Sequence, residues 1–502
     1  MRDREQLGTL GRSHGSNGAR SAGATRTLLM LGLVGLAGAC GSEGSAEGAR
    51  TEALAVVPSP NVDARRSLAI TDQPILANFT LVRVLSQLIA TSGVTGLSAT
   101  TLFQQWWDTQ NPGPGLGLGQ HCDDASVSGA PALNGYPYTC RPAPAEGSQA
   151  TCDPFATGSP CAYMPVGLFM RFDQAPADGA HCGEYRIVFA KSSGRTEGQN
   201  RNLLIFEAAM PNPHANQSIR GCQKLVRAFA DLSTENDIDN RRVQLEGIYF
   251  DGFKEFPPVV SYGNFGANPL AAGQVRTNSF VQPDAPRIWS LREFKLQKVC
   301  GPTCTLQFVP VTDKVNPFGP LFDPASTHPN AAAFQTEFLT QISTLASVDP
   351  NGIAMHPSDL YNSGQSQATS LTYETNYPAN FGAGPNSFRS AIQSTLTSLG
   401  SGLTPDEIVK RAQITACAGC HRFSNNVDVG GSVIWPASLG FTHVSERDAD
   451  LETVSGVTRF KLSDALVSQL LPFRKQLVED FLNEIPLPSR PPHDPIGGRS
   501  VH

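Results

Sequence analysis

Eight of the chain's eleven cysteines fall between residues 122 and 304: Cys122, Cys140, Cys152, Cys161, Cys182, Cys222, Cys300 and Cys304. An even, closely spaced set of this kind becomes a disulfide framework in an oxidising compartment and stays reduced in the cytosol. The first residues indicate which applies. Residues 1–39 read as an export signal: Arg2, Arg4, Arg12, Arg20 and Arg26 make a basic lead, and Leu28 to Ala39 is an apolar run too short to span a bilayer as a stable helix. Export permits disulfides, so four bridges are expected. Cys300 and Cys304 are the local pair, because their flanks (294–298 and 305–309) look like two strands that a bridge would clamp. Cys182 with Cys222, and two pairs among Cys122, Cys140, Cys152 and Cys161, complete the set.

The apolar run ends Ala37-Gly38-Ala39-Cys40. Small residues before a cysteine at this place resemble the lipobox of bacterial lipoproteins. The resemblance implies cleavage before Cys40, lipidation of its sulfur and attachment to a membrane at its periplasmic face. Gly41, where lipoproteins retained at the inner membrane carry Asp, favours the outer membrane. Residues 40–70 would then be a flexible tether, starting with the Gly- and Ser-rich 41–50. The alternative is an ordinary secretory peptide cut near Ala39.

The remaining chain is long enough for several domains. Its 26 Phe, 9 Tyr and 4 Trp are too many to leave in water, so it folds around a core. No run approaches the roughly 20 apolar residues of a membrane span, which excludes a multi-span membrane protein. A net charge of -6 with no basic stripe excludes nucleic acid as a partner. Apolar residues at helical spacing mark 75–93 and 99–108, and Gly, Pro, Ser and Cys dominate 110–162, so 71–162 reads as a helical and Cys-rich loop region. From 163 to 325 the pattern turns to strands at 167–172, 184–190, 202–206, 274–278, 289–299 and 305–311, interrupted by helices around 220–232 and 239–250. Residues 326–401 are a helical connection, and 489–502 are a Pro- and Gly-rich tail without fixed structure. The expected fold class is multidomain α+β, with a β-rich, disulfide-containing central domain.

Cys417-Ala418-Gly419-Cys420-His421 is the motif that carries chemistry. Cysteines at i and i+3 share one face of a helical turn, and the histidine follows directly. Thr404-Pro405-Asp406-Glu407 is a capping box that starts a helix expected to run into this turn. Ser463 caps a second helical region through Glu484, which Pro472 should bend or divide. Over about 402–488 these features resemble a c-type cytochrome domain, a small all-α fold in which a helix near the start packs on a helix at the end. The resemblance implies one covalent haem c, with Cys417 and Cys420 adding to its vinyl groups and His421 as an iron ligand. A Cys417–Cys420 disulfide beside an unrelated histidine is the alternative; a zinc site would need a second ligand pair, which is missing nearby.

Small c-type cytochromes often take a downstream Met as sixth ligand. Here Met355 is the last Met, and His443, His493 and His502 are the downstream histidines. His443, among aromatic neighbours, is the candidate. Met355 or His356 arriving from upstream, or a five-coordinate iron, are the alternatives. Without a thioether on iron, a lower reduction potential follows. The leading expectation is an exported, lipid-anchored carrier of single electrons whose redox partner protein the sequence does not name. A haem-dependent enzyme, peroxidase-like or with a site in the β-rich part, is the second reading, and a colourless structural or binding lipoprotein the third. The carboxylates of Glu235, Asp237 and Asp239 read as a helix start, Trp106 and Trp107 as core, and His121 and His181 as loop residues beside disulfides. No Gly-x-Ser-x-Gly elbow and no phosphate loop occur.

Overall fold

Strands whose two faces both carry residues needing cover must be sandwiched, and that requirement organises this protein. The computed structural model describes residues 61–141, 146–267, 272–280, 288–368 and 374–488. The export signal, Cys40 and the 489–502 tail lie outside the described residues.

The strands β1 (Ala69–Ile70), β2 (Tyr163–Arg171), β3 (His181–Lys191), β4 (Asn202–Pro211), β5 (Gln274–Phe280), β6 (Trp289–Cys300), β7 (Cys304–Val311) and β8 (Ser366–Gln367) make one sheet. Its order is β1-β2-β3-β4-β5-β6-β7, and β8 pairs with β6. Every pairing is antiparallel. One edge of β6 is shared: β7 lies opposite Glu293–Cys300, and β8 opposite Ser290 and Leu291. All six strands expected from sequence are present. His181 lies inside β3, not in a loop as expected, because its segment pairs with Pro211 of β4.

Side chains alternate across the sheet. One face carries Tyr185, Ile187, Phe189, Leu204, Phe206, Phe294 and Phe308, all buried. Helices α1 (Leu81–Ser92), α2 (Ala99–Asp108), α3 (Gln223–Asp231) and α4 (Ile238–Glu246) belong to the chain segments around it. Trp106 of α2 packs on Phe206, Phe294 and Phe308 at centroid distances of 5.7, 5.9 and 4.3 Å, and Tyr185 meets Phe229 of α3 at 5.1 Å. Asp237 caps α4 by accepting from the Asp239 and Asn240 amides, so the acidic run is a helix start.

The C-terminal third adds α5 (Ala331–Leu345), α6 (Ser387–Ser398), α7 (Pro405–Thr415), the hairpin β9 (Leu451–Val454) and β10 (Val457–Phe460), and α8 (Leu471–Leu482). Residues 402–488 are therefore not the all-α domain expected. Helix α7 packs against α5 and the short helix Tyr377–Phe381, whereas α8 packs against α3 and the Phe172–Gln174 turn. The described part of the chain belongs to one compact unit; its large hydrophobic cluster runs from Val62 to Leu482, and a small second one gathers Phe280, Trp289, Leu291, Ala368, Cys417 and Ala418. The physical reason is the sheet's second face, which residues from the C-terminal third cover. Residues 61–70 fold as well: Asp63 caps Ala64–Ser67, and β1 pairs Ala69 with Phe169. The tether expectation therefore fails for that stretch, whose apolar residues join the core.

Among the described residues four disulfides join Cys122 to Cys140, Cys152 to Cys161, Cys182 to Cys222 and Cys300 to Cys304. Among the described residues no helix is long and apolar enough to cross a membrane.

Candidate functional site

The site starts at the end of α7. Thr404 and Glu407 close the capping box, and Pro405 opens the helix. The helix does not continue into the motif as expected. Ala416 is extended, with φ -86° and ψ 152°, and the chain then resumes as a wide turn over Gly419–Phe423. Gly419 permits this break: a Cβ there would lie 1.6 Å from the Gln413 carbonyl oxygen. The turn brings Cys417, Cys420 and His421 to one cavity.

Among the described residues Cys417 and Cys420 are the free cysteines, and both are buried. Burial pushes both thiols up, Cys420 to about 12. A redox-active or nucleophilic pair has the opposite shift, towards the thiolate. Burial likewise pushes His421 down, to about 4, although its bond to the Phe441 carbonyl opposes this. The ring is therefore neutral at pH 7. Its Nδ1 lies 2.8 Å from the Phe441 carbonyl oxygen, which only accepts, so the proton sits on Nδ1 and Nε2 keeps its lone pair. A metal-ligating imidazole has this form.

The Phe441 carbonyl is held firmly. Asn278 Nδ2 of β5 also donates to it, at 3.0 Å, and Asn278 Oδ1 accepts from Trp289 Nε1 of β6 at 2.7 Å. Trp289 stacks on both His421 and Phe441, with centroids 5.4 and 5.6 Å away. Phe441 itself has φ +72°, a left-handed conformation that costs a bulky residue roughly 1–3 kcal/mol. Arg201, just before β4, fixes the loop around it. Its Nη1 donates to the carbonyls of Leu439 and Gly440, and its Nη2 donates to Thr442 Oγ1.

His443 follows two residues later. Its Nδ1 is 2.8 Å from Ser463 Oγ, its Nε2 is 3.3 Å from Cys420 Sγ, and its ring centroid lies 4.5 Å from that of His421. Ser463 also accepts from the Leu466 amide, at the start of the helical region that Pro472 divides into a wide-turned half (Ala465–Leu470) and α8.

The cavity has a volume of about 90 Å³. The sheet's second face makes one wall, with Phe169, Arg171, Arg186, Ile205, Arg276 and Leu291 among its residues. The motif, His443, Leu466, Leu470 and Arg474 make the other. Thus the structure brings Cys417, Cys420, His421 and His443 together. Met355, buried in the core, and His356 are not among the residues that line the cavity, and His493 and His502 lie outside the described residues.

Sequence reasoning missed the sheet's part in the site. Arg201, Asn278 and Trp289 are far from the motif in sequence, and only strand pairing carries them there. The one available signal was the recurrence of Arg171, Arg186 and Arg276 in otherwise apolar strands. No protein-family model, no curated protein and no solved structure matches this chain.

Proposed function

We propose that this chain is an exported c-type haem protein that carries single electrons. One observation carries the reading: two unpaired cysteines and two histidines with anchored Nδ1 atoms share one buried cavity, while every other described cysteine is in a disulfide. A simple structural pair at Cys417 and Cys420 would be expected to close in a chain that closes the other four.

The donor set fits the group. Cys417 and Cys420 would hold the macrocycle by thioethers. His421 Nε2 would bind iron, with Phe441 and Trp289 fixing the ring, and His443 would be the second histidine ligand. A haem so held supplies reversible one-electron chemistry at its iron. The chain contributes ligation, exclusion of water by the sheet and the C-terminal helical region, and the Asn278, Trp289 and Phe441 contacts that limit rearrangement of His421. A porphyrin is larger than 90 Å³. The wall carrying Leu466, Leu470 and Arg474 would therefore have to give way for a haem to enter. Cys40 would supply the lipid anchor at the periplasmic face, with the outer membrane favoured, and the redox partner would be another protein. A haem-dependent enzyme needs an iron position that His443 does not occupy, and the placement of His443 beside His421 in the cavity supports the carrier.

The test is production of the full chain with haem-attachment enzymes, followed by intact mass and a pyridine haemochrome spectrum. The expected result is one macrocycle per chain on Cys417 and Cys420. A colourless protein without added mass, with Cys417 and Cys420 bridged, sinks the proposal.

A further inference from the structure

Buried guanidinium groups need counter-charges, and the cavity wall holds more cations than its carboxylates match. Arg171, Arg186, Arg276 and Arg474 all line it, and Glu207 is the one carboxylate among the lining residues. Arg171 forks onto Asp173 through Nε and Nη2, at 2.6–3.0 Å. Arg186 lies 2.7 Å from Glu184 and 3.1 Å from Glu207. Arg276 lies 2.9 Å from Glu293 and 3.3 Å from Glu207. Arg474 has only the 3.4 Å approach of its Nε to Asp173, the carboxylate Arg171 already occupies, and that Nε makes no hydrogen bond. Arg474 is nonetheless 4% exposed.

Two more cations stand behind this set. Lys314 is 3.9 Å from Glu184, and Lys295 donates to the Gly273 carbonyl. Burial pushes the nearby Asp313 carboxyl well up, towards its protonated form. Four carboxylates (Asp173, Glu184, Glu207 and Glu293) thus face six basic side chains, of which burial pushes Lys295 down to about 8. Burial and the neighbouring Arg171 push Arg474 down to about 9, as expected of a guanidinium short of counter-charge. A buried cation left in this state has lost its hydration without a matching counter-charge.

We infer that the cavity is an anion site in which Arg474, beside Arg171 and Arg186, receives a carboxylate. A planar guanidinium with its fork free is suited to a two-pronged bond with that group. Two sources have this chemistry: a propionate arm of the haem, which rests on the function proposed above, and a free small carboxylate, which does not.

The experiment uses the haem-loaded full chain and the variants Arg474→Gln and Arg474→Lys, each checked for covalent haem. With a propionate as the anion, the propionate bands in the resonance Raman spectrum shift in R474Q. Its reduction potential also falls by about 59 mV, a tenfold change in the one-electron equilibrium, and acetate leaves the wild type unchanged. R474K keeps the charge and serves as the second variant should R474Q not accumulate: its potential stays near wild type while its propionate bands still shift, because an ammonium lacks the fork. With a free carboxylate as the anion, titrating acetate into the wild type gives a saturable absorbance change, weakened at least tenfold in either variant. Variants matching the wild type in Raman bands, potential and acetate response overturn the inference. If the wild type binds no haem, only the functional reading fails, and acetate is titrated against thermal melting of the haem-free chain. A rise in Tm lost in R474Q or R474K then sustains the anion site, and equal melting in wild type and variant overturns it.

Discussion

Arg201 and Glu446 meet through both ends of the guanidinium: Nε donates to Oε1 at 2.9 Å and Nη2 to Oε2 at 2.7 Å, with both residues buried. The pair pins the loop that carries the Phe441 carbonyl and His443 to the start of β4. Leaving one buried partner unpaired costs roughly 3–5 kcal/mol. Arg201→Met is expected to lower stability by about that amount in urea unfolding. Arg201→Met with Glu446→Gln should lose less than the two single losses combined, because each removes the same contact. Additive losses would show that the pair is not coupled.

His443→Ala is expected to leave covalent haem in place and convert a low-spin absorption spectrum to high-spin. Ser463→Ala, which removes the 2.8 Å partner of Nδ1, should have a smaller effect of the same sign. An unchanged spectrum in H443A would show that the opposite ligand lies elsewhere or is absent.

Gly419→Ala tests the break between α7 and the motif. The new Cβ meets the Gln413 carbonyl at 1.6 Å, and that acceptor is backbone. Overpacking of this kind costs about 1–3 kcal/mol, and more where nothing can give. The variant should melt earlier and carry less haem per chain, whereas Gly301→Ala, in open space, should do neither.

Glu374 predicts a pH dependence. Burial pushes its carboxyl from 4.5 up to about 7, against opposing hydrogen bonds from Gln365 and Ser363. The folded state therefore holds a proton that the unfolded chain has released. Stability on this account is full below about pH 4.5 and is lost as pH rises to about 7. At about 1.4 kcal/mol per unit, the loss is at most about 3.5 kcal/mol. Glu374→Gln should be more stable than wild type at pH 8, by denaturant unfolding, with a flatter profile between pH 5 and about 8.

The disulfides should rank by loop length. Cys182–Cys222 closes 40 residues and Cys300–Cys304 closes 4. On the chain-entropy account the longer loop contributes about 2 kcal/mol more. Replacing the first pair with serines should lower Tm more than replacing the second; the reverse order would mean that the hairpin depends on its clamp.

What the sequence determined by itself was local. The Cys-x-x-Cys-His spacing, the Thr404 capping box, the break at Pro472, the helix start at Asp237 and the Cys300–Cys304 pair each rest on residues a few positions apart, where backbone geometry alone decides who meets whom. The six strands were legible for the same reason, since β-branched and aromatic residues cluster along each. Tertiary structure decided the rest. Arg171, Arg186 and Arg276 line one cavity only because alternation and antiparallel register put them on the same face of the sheet. Arg201, Asn278 and Trp289 reach the motif across more than 100 residues of chain through strand pairing. The expected boundary at 402 is not a break in the core, because the sheet's second face is covered by the segment carrying the motif. Burial of both faces, a property of the whole sheet, joins what local patterns would have kept apart.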